Sequence, residues 1–130
     1  MSQDLPKNNL AIAFSDTISA TEQALIEDFF SQLPKEDFAK ATSTPLLIRQ
    51  WVDGRGLPCP MPLLKTKVAL RHVQPNEALY TVATDPNSQA DIRAFCQQSP
   101  ELTLTLAQKT AQDGASATIF HFIITKTDSN

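Results

Sequence analysis

Apolar and polar positions change period several times along this 130-residue chain. Between residues 19 and 33, Leu25, Ile26, Phe29, Phe30 and Leu33 fall on one face at helical spacing. Ser19 with Glu22 three residues on makes a capping box ahead of them, and Pro34 stops the helix. A second short helix is predicted over residues 35–40. Residues 46–52 read as a strand, Gly54-Arg55-Gly56 as a break, and residues 60–73 as a helix whose apolar contacts are Leu63, Leu64, Val68 and Leu70. Pro75-Asn76 marks a turn, and residues 78–84 are rich in β-formers. Asp85-Pro86-Asn87-Ser88 signals a turn and a helix start. A helix over residues 90–98 then places Ile92, Phe95 and Cys96 on one stripe. Leu102, Leu104 and Leu106 alternate with Thr103 and Thr105, which predicts a half-buried strand over residues 101–109. Asp113-Gly114 suits a hairpin turn before a last strand at 117–125.

From residue 46 the order is therefore β-α-β-α-β-β. A right-handed crossover makes the first two strands parallel, and the last two form an antiparallel hairpin. Two helices are too few to cover both faces of four strands. The expected fold is α/β: a two-layer sandwich with a mixed four-stranded sheet, two helices on one face, and an N-terminal helical extension. The open sheet face is a natural place for that extension to lie.

Charge divides the chain in the same way. Residues 1–45 carry three Lys against seven acids, whereas residues 46–130 are close to balance at +1. We place a boundary in the polar stretch ending at Thr44-Pro45, with an acidic extension over 1–45 and the sandwich over 46–130. Phe29 and Phe30 then need a surface: the following domain, a dimer contact, or a partner protein. The extension is expected to be separable, so that removing residues 1–45 leaves a soluble, folded sandwich; the opposing possibility is that the two rings pack on the open sheet face and belong to the core.

Composition narrows the function classes. Hydrophobic residues make up 42% and charged residues 19%, an ordinary globular balance. No apolar run approaches the ~20 residues that span a bilayer, and the first residues make a poor signal peptide, so a cytoplasmic location without membrane attachment is expected. A net charge of −3 lacks the basic footprint of a nucleic-acid binder, so no direct nucleic-acid contact is expected. In a reducing compartment the two cysteines are candidates for reactive or packed thiols before a structural disulfide.

Their contexts differ. Cys59 lies between a strand-ending loop and a helix start. Pro60 suits the first helical position and Pro62 still falls in the first turn, fixing the backbone around the thiol. The helix macrodipole is expected to lower the thiol pKa, with Arg55, Lys65 and Lys67 adding positive charge nearby in sequence. The bland alternative is a small residue at a tight turn. Cys96 shares an apolar stripe with Ile92 and Phe95 and reads as core, or else as a resolving thiol. Two cysteines 37 residues apart are not a structural zinc pattern. His72, near a helix end, suits terminal carbonyls better than a metal, and His121 reads as structural or exposed. No Cys-x-x-Cys, phosphate loop or dinucleotide fingerprint is present.

The run Asp53-Gly54-Arg55-Gly56-Leu57-Pro58-Cys59-Pro60-Met61-Pro62-Leu63-Leu64-Lys65-Thr66-Lys67 resembles the signature of the TusA/SirA-like sulfur-carrier family, a Cys-Pro-x-Pro after Gly-Leu. Asp85-Pro86, Asp91-Ile92 and Phe95-Cys96, and the terminal run 122–126, are similar to later family segments. The resemblance covers about residues 47–127; the first 45 residues depart from it. It implies the same β-α-β-α-β-β sandwich and a transient persulfide on Cys59, with no other cofactor. Cys59 would be the nucleophile, drawing sulfur from a donor protein such as a cysteine desulfurase and passing it to an acceptor protein thiol. Arg55 and the helix N-terminus would steady the anionic sulfur, with Lys65 and Lys67 assisting or steering an acidic partner. The rival from another class is a non-catalytic interaction or regulatory module on the same fold. A third, a nucleic-acid binder, rests on fold analogy to a translation initiation factor domain. A depressed Cys59 pKa is the mark expected of the carrier, and an ordinary or raised one that of the module.

Overall fold

A computed structural model describes residues 12–31, 46–111 and 118–127. The elements are β1 (Ile12–Phe14), α1 (Ala20–Ser31), β2 (Leu46–Gly54), α2 (Met61–Leu70), β3 (Ala78–Ala83), α3 (Asn87–Gln97), β4 (Leu102–Ala111) and β5 (Thr118–Lys126). They build one mixed sheet of five strands in the order β1-β2-β3-β5-β4. β2 and β3 run parallel across the α2 crossover, and β4 and β5 are antiparallel. The four strands and two helices after residue 46 thus have the expected order. The sheet gains a fifth strand, because β1 pairs in parallel with β2 from Ile12 opposite Leu46 to Phe14 opposite Ile48. Three residues are too short a run to show a period, so the pattern did not announce it.

Two cores lie on opposite faces of the sheet. On one, α2, the turn after it and α3 bring Leu70, Val73, Ile92 and Cys96 against Val52, Leu79, Phe120, Phe122 and Ile124. On the other, Ile26, Phe29 and Phe30 of α1 meet Ile48, Tyr80, Val82, Ile119 and Ile123. The extension therefore supplies a third layer over the face that two helices leave open. α1 begins with the expected box: Ser19 N–H donates to Glu22 Oε1 (3.0 Å) and Glu22 N–H to Ser19 Oγ (3.1 Å). The rest of the first predicted helix, the short helix at 35–40 and the Asp113-Gly114 turn fall outside the described residues.

Two patterns came out differently in detail. The buried face of α2 is Pro62, Thr66 and Leu70, while Leu64 and Val68 are exposed at 45% and 54%. The sheet-facing stripe includes a polar residue because Thr66 Oγ1 donates to Thr81 Oγ1, which in turn donates to the Val52 carbonyl. In β4 the register shifts between Leu104 and Leu106. A bulge turns the following residues over, so Leu104 and Ala107 face the same core instead of strict alternation.

Candidate functional site

The loop 55–60 leaves the carboxyl end of β2 and delivers the chain into α2. Two glycines shape it. Gly54 runs so close to β3 that a Cβ there would sit 2.8 Å from the Val82 carbonyl oxygen and 3.3 Å from the Pro62 Cβ. Gly56 has φ +77°, the left-handed region glycine adopts without strain, and its N–H donates to Thr84 Oγ1 (2.9 Å). Pro60, expected inside the helix, instead occupies its N-cap after a cis Cys59–Pro60 peptide, while Pro62 lies in the first turn as expected. Met61 N–H is taken up by the Pro58 carbonyl at 2.8 Å.

Cys59 is exposed on this loop. Its backbone N–H donates to Asp85 Oδ2, and Asp85 Oδ1 accepts the Asn87 N–H (3.0 Å). One carboxylate thereby ties the cysteine loop to the start of α3. The Cys59 thiol donates to Asp91 Oδ2 at 2.7 Å. Asp91 stands one turn into α3, beyond Asn87.

These carboxylates reverse the expected electrostatics. The Asp91 hydrogen bond first, then desolvation, then the charges of Asp91 and Asp85 push the thiol up to about 11. Two of the three cations read from the sequence, Arg55 and Lys67, are engaged elsewhere. Arg55 forks onto Asp53 at 2.8 and 2.7 Å and lies 4.9 Å over the Phe29 ring. Lys67 Nζ is 5.1 Å from the centre of Phe95. Lys65 lines a groove of about 530 Å³ with Met61, Leu64, Val68, His72 and Trp51. The motif thus brings Cys59, Pro60 and Pro62 together, whereas Arg55 and Lys67 turn to other partners. Sequence reasoning missed Asp85 and Asp91 as site residues. Asp85-Pro86 was legible as a helix start, and Asp91 lies one turn on.

The remaining candidates are placed differently. Cys96 is buried on α3, where desolvation raises its thiol to about 11. His121 is fully buried, its Nδ1 2.9 Å from the Tyr80 hydroxyl and its Nε2 2.9 Å from Thr110 Oγ1. No group of three or more His, Cys, Asp or Glu among the described residues is arranged to hold a metal ion.

The family model described as Sulfurtransferase TusA matches residues 51–126, a span from β2 through β5 that contains every residue of the cysteine loop. This chain belongs to the TusA family. The sulfur carrier protein TusA of Allochromatium vinosum is 34% identical over 77 residues, covering 59% of this chain and 92% of that one. A protein of Neisseria meningitidis serogroup A, named as a candidate sulfur carrier, is 38% identical over 63 residues, covering 48% and 81%. A serogroup B counterpart matches to the same extent. The TusA match begins at Trp51, so β1 and α1 lie outside it. No helix among the described residues is long and apolar enough to cross a membrane.

Proposed function

We propose that this TusA-family protein is a sulfur carrier, and that Cys59 bears the sulfur as a persulfide between a donor protein and an acceptor protein thiol. The observation that carries the reading is the exposed Cys59 thiol on a braced Cys-Pro-Met-Pro loop within the matched span. The relatives' names as sulfur carriers support it. Persulfide exchange asks for a reachable sulfur on a backbone that holds its position. Gly54, Gly56, Pro60, Pro62 and the Asp85 bridge supply the second, and exposure supplies the first. A cysteine desulfurase is the donor class we propose.

The raised Cys59 thiol favours a second reading, a non-catalytic interaction module in which the cysteine stays protonated and carries nothing. The two part company on mass. Protein isolated without reductant from its own cells, or treated with a persulfide donor, is expected to gain about 32 Da on the Cys59 peptide. Cys59→Ser is expected to abolish the gain. A persulfide found on Cys96 alone, or on neither cysteine, rejects the carrier.

A further inference from the structure

Among the described residues, Asp91 is the one group in hydrogen-bond contact with the thiol whose chemistry the family motif does not explain. A carboxylate 2.7 Å from Sγ is badly placed if the resting site needs a free thiolate, since its charge opposes one. It is well placed if the thiol must lose its proton only as it attacks. The distance lies within direct proton-transfer reach. The site also contains a fixed second carboxylate, Asp85, whose two oxygens are occupied by the Cys59 and Asn87 N–H groups. The two acids therefore have separate tasks, one holding the loop and one facing the sulfur.

We propose that Asp91 is a catalytic residue, the proton acceptor for Cys59 when sulfur is loaded and the proton donor when it is unloaded. The proposal rests on the carrier reading above. In loading, Asp91 takes the thiol proton and Sγ attacks the outer sulfur of a donor R–S–SH. The Sγ–S bond forms and the inner S–S bond of the donor breaks. The electron pair leaves on R–S⁻, which collects the proton from Asp91. The products are Cys59–S–SH and R–SH, and no external oxidant or reductant is consumed. In unloading, an acceptor thiol gives its proton to Asp91 and attacks the outer sulfur. Sγ leaves with the bonding pair and recovers the proton. Among the described residues, both charged groups acting on the thiol, Asp91 on α3 and Asp85 ahead of it, are negative, so the resting carrier holds its proton at neutral pH.

The test sets two reactions of the full-length protein against each other. Alkylation by iodoacetamide reads the thiolate fraction, and loading from glutathione persulfide reads sulfur transfer. In Asp91→Asn the alkylation profile is expected to move from about 11 toward 9.0, so alkylation at pH 7 speeds up. Loading at the same pH is expected to fall about tenfold despite the larger thiolate fraction, because an amide accepts no proton. Asp91→Glu is expected to recover part of the loading. Loading by Asp91→Asn that is unchanged, or that rises with alkylation, overturns the shuttle while the carrier reading stands. A wild-type protein that takes no sulfur on Cys59 removes both. Continued protection of the buried Cys96 from alkylation reports that the variant keeps its fold.

Discussion

Two thiols are held near 11 in this protein for different reasons, carboxylate neighbours at Cys59 and burial at Cys96. Their reactivities then separate by access rather than by acidity. Iodoacetamide is expected to label Cys59 well ahead of Cys96 in the folded protein, with the gap closing in denaturant. Peptide mapping at short times checks this, and equal native rates would contradict the burial of Cys96. His121 offers a prediction of another kind. A neutral imidazole has one N–H and one lone pair, and two hydroxyls satisfy both inside the core. Burial lowers its pKa from 6.5 to about 4, so the unfolded chain binds the proton more readily than the folded one. The stabilisation is complete above the unfolded value and is lost as pH falls through about 6.5 to 4, amounting to about 3 kcal/mol at most. Urea denaturation at pH 7.5 and pH 4.5 is expected to show that loss, with a flatter dependence in His121→Gln. The exposed loop position of Cys59 was legible in its prolines and glycines. The two carboxylates were not, because they meet the cysteine only when α3 packs beside the loop, and contact across 26 and 32 residues leaves no local period.

At the scale of elements, the way β2 turns into α2 decides how firmly the site is held. Gly54 and Gly56 predict contrasting costs. Ala at Gly54 drives a methyl into the Val82 carbonyl and against Pro62, so β3 or the start of α2 must move. The expected loss is about 1–3 kcal/mol, with a changed Cys59 alkylation rate. Ala at Gly56 meets open space and is penalised only by its left-handed backbone, about 1–2 kcal/mol. Chemical denaturation with alkylation kinetics separates the two: Gly54→Ala should disturb stability and thiol together, Gly56→Ala mainly stability. The element order was readable because each segment keeps one period between strong turn signals. What was not readable has physical causes. Thr66 buries a hydroxyl by bonding Thr81, which rotates the inferred face of α2 and leaves Leu64 and Val68 in solvent. A bulge in β4 has no signature in an uninterrupted Leu/Thr alternation.

For the whole molecule, the open question is whether the segment before residue 46 can be removed. Its charge sets it apart, yet its packing binds it to the sheet. Ile26, Phe29 and Phe30 are 0%, 4% and 7% exposed, and they cover Tyr80, Val82, Ile119 and Ile123. Phe29 stacks on Trp51 with ring centres 5.8 Å apart, and Phe30 meets Tyr80 edge-on at 6.3 Å. β1 also covers what would otherwise be the free edge of β2. Burying a large apolar side chain is worth about 1.5–3 kcal/mol, so three of them match a large share of the ~5–15 kcal/mol that holds a small domain together. Loss of the segment would also strip the Phe29 ring from under Arg55, at the base of the cysteine loop. We therefore expect a chain beginning at residue 46 to aggregate or to melt far below the full-length protein. Phe29→Ala and Phe30→Ala should each lower the melting temperature, and Phe30→Ala should do so without touching Cys59. A truncated chain that melts within a few degrees of the intact one would mean that these contacts add little, and that the sandwich supports itself with one face bare.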